Sequence, residues 1–226
     1  MAKHFTAEQI SEMRKKLLVA SAELFLTKGY SATTLLQISE KSGIDKGTLI
    51  RIFGSKENIL AALVKYVLEE QFATTMKLVQ NKTTDKILFY ASETALQLHI
   101  VESSEHLREL YAMAYSLPNT TEIIQETITG KLEHIFKEHL PDLEKKDFYM
   151  LEIASGGIMR GFMTVPCNMW FTMNEKIKAF LETTFSLYKV PEEKVKEAIE
   201  FVSQFDFKQC AEKLIQDMLD KLEKEA

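Results

Sequence analysis

The sequence predicts an all-α protein, with a small head of short helices in front of a bundle of long ones. Only 8 Gly and 4 Pro are spread over 226 residues, too few for an all-β sandwich, which needs turn formers roughly every 8–12 positions. Apolar residues recur at three- and four-residue steps along most of the chain, and no strand-like alternation survives. The chain is 46% hydrophobic and 27% charged, the balance of a folded globular protein rather than a disordered one.

Each element can be justified in turn. Residues 7–28 read as an amphipathic helix in which Ile10, Met13, Leu17, Ala20 or Ser21, and Leu24 make the stripe and Leu18 and Phe25 widen it. Thr6 and Gln9 offer a capping box at its start, and Gly29 offers a left-handed stop. Thr34 and Gln37 make a second capping box, opening a short helix that ends at Gly43. Asp45 caps another over 46–53. Gly54 and Ser55 break it, and Ser55 with Glu57 starts a longer helix through Val79. Further helices are expected at 84–102, 105–117, 121–140, 145–165, 174–188, 191–204 and 207–224. Pro118, Pro141 and Pro191 fall at the joints, and Pro166 either ends the 145–165 helix or kinks its last turn.

Charge is unevenly placed. Residues 1–58 hold nine Lys/Arg and six Asp/Glu, whereas the whole chain carries −5. A basic head on an acidic body suits a protein that touches a polyanion with one end. No apolar run reaches the ~18–20 residues that span a bilayer, and the first ten residues lack a signal-peptide core, so a cytoplasmic protein without a membrane partner is expected. Cys167 and Cys210 form no paired motif; reduced thiols are expected, with one disulfide as the alternative.

The sharpest signal lies in 34–53. Two short helices joined by Ser42, Gly43 and Ile44 must cross steeply; Ser39 supplies a small contact, and Gly43 the left-handed turn. Ile38, Ile44, Leu49 and Ile52 fall where such a pair buries apolar groups. This is helix-turn-helix spacing, whose second helix lies in the DNA major groove. On that helix Gly47 permits close backbone approach, Lys46 and Thr48 reach phosphates or base edges, and Arg51 is able to grip guanine O6 and N7 bidentately. Thr34 and Lys56 stand at helix N-termini, where unpaired N–H groups hold phosphates.

Three stretches carry a family resemblance: Ala22-Glu-Leu-Phe-Leu-Thr-Lys-Gly-Tyr-Ser-Ala-Thr-Thr-Leu35, Ile38-Ser-Glu-Lys-Ser-Gly-Ile-Asp-Lys-Gly-Thr-Leu49 and Phe53-Gly-Ser-Lys-Glu57. Together they resemble the TetR family of transcriptional regulators over about residues 10–65. The resemblance implies a helix-turn-helix DNA-binding domain, here 1–55, and a helical ligand-binding and dimerisation domain, here 56–226. It further implies a homodimeric repressor acting on a palindromic double-stranded DNA operator and released by a small-molecule inducer. DNA contact then maps onto Thr34, Lys46, Gly47, Thr48, Arg51 and Lys56. Two positions depart from the family. Ile50 stands where a tyrosine often contacts phosphate, leaving it to meet a thymine methyl or to pack against the first helix. Gly54 stands where some members have proline, which should loosen the joint before Lys56.

The body is rich in Met and aromatic residues, which suit an adaptable apolar pocket as well as an ordinary core. Phe89, His99, Tyr111, Tyr115, Met159, Phe162 and Trp170 are the ligand-binding candidates. Gly157 and Gly161 lie inside a long helix, where each costs up to ~1 kcal/mol relative to Ala. They leave a flat strip for a dimer partner or for a helix of the same chain. His99, Glu102 and His106 lack a convincing third metal ligand. No Gly-rich phosphate loop or serine nucleophile motif is present, so no metal, cofactor or enzymatic role is expected. The alternative reading is a helical small-molecule binder whose head no longer reads DNA.

Overall fold

The computed structural model describes residues 5–224. Among them it has eleven helices and no strand: α1 (Ala7–Lys28), α2 (Leu35–Ser42), α3 (Lys46–Phe53), α4 (Lys56–Val79), α5 (Lys86–Glu102), α6 (Glu105–Ala114), α7 (Pro118–Phe136), α8 (Lys145–Thr164), α9 (Met173–Leu187), α10 (Glu192–Val202) and α11 (Phe207–Lys224). The capping boxes form as read. Gln9 N donates to Thr6 Oγ1 at 3.2 Å and Gln37 N to Thr34 Oγ1 at 3.3 Å, and each glutamine side chain returns to the cap backbone. No described helix is long and apolar enough to cross a membrane.

Boundaries of α6, α7 and α8 differ from expectation. α6 stops at Ala114, and α7 runs over Pro118–Phe136 rather than 121–140. Pro118 occupies the first helical position, where its missing N–H costs nothing and its fixed φ suits the turn. α8 ends at Thr164, because Pro166 drives Val165 into extended backbone at φ −98° and ψ 113°.

The head packs α1–α3 on the first half of α4 around Leu17, Phe25, Ile38, Leu49, Ile59 and Leu60, all buried. Full burial of each such side chain contributes ~1.5–3 kcal/mol. The expected division at residue 55 coincides with the start of α4. The apolar core of the head nonetheless continues to Leu68 and takes in Ala114 of α6 and Ile124 of α7. Behind it, α5 is the axis of the body. Its residues 90–98 are buried without interruption, as expected of a helix apolar all round, and α4, α7, α9, α10 and α11 pack about it. That run also buries Ser92, Glu93, Thr94 and Gln97, so polar chemistry sits at the centre of an otherwise apolar body.

Candidate nucleic-acid interface and the cavity behind it

The turn between α2 and α3 is built as its sequence requires. Gly43 takes φ +70°, the left-handed region that strains a side chain with Cβ. Ser39 Oγ donates to Ile44 O at 2.6 Å, tying the first helix to the turn. Asp45 Oδ1 accepts from Thr48 N at 2.9 Å and caps α3. Ile38 and Leu49 are fully buried beneath the pair, fixing the crossing and turning the opposite face of α3 to solvent.

That face carries Lys46, Gly47, Ile50 and Arg51, all exposed. Ile50 points outward at 44% exposure and does not belong to the packing against α1. The Arg51 guanidinium lies 4.6 Å from the centre of the Phe5 ring, which holds the chain before α1 against the outer face of α3. Thr34 is exposed at the start of α2, its side chain spent on the cap.

Two sequence assignments need correction. Thr48 is buried at 8% exposure, turned into the head by the cap that Asp45 makes to its N–H. Lys56 is turned inward as well. Its Nζ donates to Tyr30 O and Thr33 O, both at 2.8 Å, and sits 4.2 Å from the Tyr30 ring centre. Burial lowers its pKa, against the pull of Glu109. Two of its three donors thus hold the α1–α2 loop. The joint before it is also closed rather than loose. Gly54, at φ +76°, donates to Ile50 O at 2.7 Å, and Asn58 Nδ2 donates to Phe53 O at 2.7 Å.

α6 fastens this head to the body. The Glu109 carboxylate accepts from Tyr30 N at 3.1 Å and Ser31 N at 2.8 Å. Burial raises its pKa, but the bonds from Ser31 and Tyr30 and the nearby His106 bring it below the ordinary value. A Cβ on Gly29 would collide with that carboxylate. A second tie runs from α7 to α4, where Asn119 N donates to Glu57 Oε1 at 2.9 Å and Asn119 Nδ2 to Asn58 Oδ1 at 2.8 Å. Glu109 carries no motif, and only its distance from Tyr30 in the folded chain reveals it.

Two residues beyond Glu109, α6 reaches the centre of the body with Tyr111, and Tyr115 follows at its C-cap. Tyr111 OH donates to Gln71 Oε1 at 3.3 Å, and Gln97 Nε2 donates to Tyr115 OH at 3.0 Å. Gln71 Nε2 in turn donates to Glu93 Oε1. Around these groups lies a cavity of about 30 Å3, lined by Tyr90, Glu93, Gln97, Tyr115, Glu152 and Ser155 among others. Burial pushes Glu93 up to about 7, against the Gln71 hydrogen bond and Lys131. Burial likewise pushes Glu152 to about 8, with Ser155 opposing and Glu93 adding repulsion. Neither glutamate belonged to the sequence-based ligand set. Glu93 did leave a signal, as the one carboxylate in the apolar run 87–101.

The seven sequence candidates do not converge. Tyr115 and Met159 line the central cavity, and Tyr111 stands beside it. Phe89 lines a separate outer groove of about 490 Å3 between α4, α5 and α7. His99 stacks on Phe207 near the α10–α11 end, 5.9 Å between ring centres. Phe162 is core filling between Phe171 and Phe180. Trp170 stands 81% exposed on the α8–α9 loop, because the Asn168 turn closes beneath it. Gly157 and Gly161 are exposed, and a Cβ on either meets nothing within 4 Å. The alternative of close helix packing within the chain therefore fails for both.

The comparisons with known proteins agree with this construction. The family described as bacterial regulatory proteins, tetR family, matches residues 17–63, which span the head from mid-α1 to mid-α4. The HTH-type transcriptional repressor KstR2 of Mycobacterium tuberculosis is 32% identical over 97 residues, 41% of this chain and 48% of that protein. The HTH-type transcriptional regulator YuxN of Bacillus subtilis is 25% identical over 116 residues, 51% of this chain and 40% of that protein. The chain thus spans under half the length of these curated relatives. Among solved structures, RolR in complex with the ligand resorcinol has the same fold, with a TM-score of 0.65 at 16% identity over 88% of this chain and 97% of that one. SmeT, the repressor of the Stenotrophomonas maltophilia multidrug efflux pump SmeDEF, follows with a TM-score of 0.53 at 18% identity, over 76% and 88%. Residues 17–63 thus carry a helix-turn-helix domain of the tetR family of bacterial regulatory proteins, in front of an all-helical body with the fold of RolR and SmeT.

Proposed function

We propose that this chain is a DNA-binding transcriptional regulator, a homodimeric repressor whose grip on a palindromic operator is released by a small molecule bound in the body. The observation that carries the reading is the solvent face of α3, where Lys46, Gly47, Ile50 and Arg51 stand exposed on a helix braced from behind. Arg51 reads a base edge, Gly47 lets the backbone approach, and Lys46 and the start of α2 at Thr34 meet phosphates. Ile50 is placed for a thymine methyl. Thr48 and Lys56 act from behind, holding α3 and the α1–α2 loop in place. The 1–55 head and 56–226 body work as two units joined through α4. Likeness to the repressor KstR2 supports the sign of regulation, and the ligand in RolR supports a small-molecule effector for this fold.

The exposed α8 strip of Met150, Ile153, Gly157 and Gly161 serves as the dimer face. Two heads then meet successive major grooves ~34–36 Å apart or a multiple of it. Effector binding in the central cavity displaces α6 through Tyr111 and Tyr115, and Glu109 passes the shift to the α1–α2 loop. Selection of sites from random DNA with the purified protein, followed by a salt titration on the selected duplex, tests the reading. A near-palindromic site and a steep log–log salt slope are expected. A flat slope, or no enrichment, returns the protein to the class of small-molecule binders without DNA reading.

A further inference from the structure

The effector cavity is chemically one-sided. Glu93 and Glu152 are both more than nine-tenths buried on its wall, with the hydroxyls of Tyr90 and Tyr115 and the amide of Gln97 beside them. Among the described residues that line it, Lys131 is the one cation, and it is exposed at the rim with its ammonium 4.7 Å from the Phe72 ring centre. A further polar group is buried close behind the wall. The Tyr188 hydroxyl is buried outside the lining, and burial raises its pKa, with the cavity residues Ser155, Glu152 and Tyr90 as its electrostatic neighbours.

The cavity also has a direction. At about 30 Å3 it has room for two waters at most, whereas organic ligands occupy ~300–1,000 Å3. The outer groove of about 490 Å3 shares Phe72, Lys131 and Ile135 with it. Swinging Phe72 and Lys131 aside merges the two into one elongated site, acidic at the inner end and apolar along Phe72, Met76, Val79 and Phe89.

Resting on the regulator reading above, we propose that the effector is an amphipathic organic cation whose ammonium, amidine or guanidine head lies between Glu93 and Glu152 while its apolar body fills the outer groove. Once ionised, the same pair repels carboxylate and phosphate ligands. The groups facing Glu93 are Gln71 from α4, Tyr111 from α6, Tyr115 from its C-cap, Lys131 from α7 and Glu152 from α8. Those facing Glu152 are Tyr90 and Glu93 from α5, Tyr115 from the C-cap of α6 and Tyr188 from the C-cap of α9. Both glutamates hold protons near neutrality because burial disfavours their charge. A bound cation draws those protons off.

The test is calorimetric titration of the full chain with three probes of one shape: 4-phenylbutylamine, 4-phenylbutanol and 4-phenylbutyrate. The amine should bind at least tenfold tighter than the alcohol, and the carboxylate should not bind. Amine affinity should rise at least tenfold between pH 6 and 8.5, since an alkylamine keeps its proton to ~10 while the two acids ionise. Binding at pH 6.5 should release protons to the buffer. Glu93→Gln and Glu152→Gln should each weaken the amine about tenfold. Lys131→Met, at an exposed rim position, should tighten it and leaves the core untouched should either glutamine variant fold poorly. Equal binding of amine and alcohol, tighter carboxylate, no amine binding, or an amine affinity that Lys131→Met fails to raise overturns the proposal. Operator binding without probe is measured on the same samples. Its loss would sink the regulator reading and leave the charge preference of the cavity to be decided by the titration.

Discussion

Glu152→Gln isolates the cost of keeping a carboxyl in the middle of the body. Glu152 is 3% exposed, and its pKa of about 8 lies far above the ordinary 4.5. Below pH 4.5 the carboxyl is protonated whether the chain is folded or not, and it costs nothing. Between 4.5 and 8 the unfolded chain releases the proton while the native state retains it, so stability falls as pH rises. Above 8 the full cost is present, on the order of 5 kcal/mol at about 1.4 kcal/mol per pKa unit. Glutamine cannot ionise. The variant should match the wild type near pH 5 and exceed it at pH 9. At ~2–4 °C per kcal/mol for a chain of this size, the gap at pH 9 is on the order of 10–20 °C in Tm. A shallower slope should remain in the variant, because Glu93, also raised by burial, still titrates. Thermal and urea melts from pH 5 to 9 measure this directly. Parallel curves for the two proteins across that range would refute the assignment of Glu152 as a buried acid with a raised pKa.

Arg51→Ala should cost ~1–3 kcal/mol of operator binding and relax preference at one base pair; fluorescence anisotropy showing equal loss on cognate and scrambled duplexes argues against base reading. Lys56→Met should lower stability by ~1–3 kcal/mol by unfastening Tyr30 O and Thr33 O, and an unchanged melting curve contradicts that bracing role. Glu109→Gln should speed amide exchange at Tyr30 and Ser31, whose N–H groups lose an ionic acceptor; unaltered exchange removes the α6 tie. Gly157→Lys, placed on an open strip, should shift the protein toward monomer in sedimentation, and a retained dimer moves the interface elsewhere.

Local signals made the head legible. Thr6, Thr34, Asp45 and Ser55 each cap where a side-chain oxygen precedes an apolar run, and Gly29, Gly43 and Gly54 each take the positive φ that ends a helix there. The orientation of single side chains was not legible in the same way. Thr48 and Lys56 have the right chemistry for DNA, yet a cap and two backbone carbonyls 23 and 26 residues away decide where they point. In the body, helical spacing located nearly every helix but could not distinguish core aromatics from cavity aromatics. Phe162, Tyr115 and Trp170 look alike in sequence and end in the core, in the cavity and in solvent. The cavity is defined by residues from α4 to α9 that no local pattern brings together.

The same geometry explains how a small molecule would acquire leverage over the head. To reverse an equilibrium from 99:1 to 1:99, a ligand must prefer one state ~10⁴-fold, about 5.5 kcal/mol. A ligand that fits both states equally moves nothing. Here the central cavity, about 30 Å3, is too small for an organic molecule, so any effector of ordinary size binds only after the walls part, and the required preference is built into its volume. Two of the groups around that space, Tyr111 on α6 and Tyr115 at its C-cap, lie two and six residues beyond the carboxylate that holds Tyr30 and Ser31. A helix of ten residues is too short to absorb a displacement at one end by bending, because bending over so few turns breaks its own hydrogen bonds. Movement at the tyrosines is therefore delivered at Glu109 as a rigid shift, and the loop it grips is the one from which α2, and then α3, are hung.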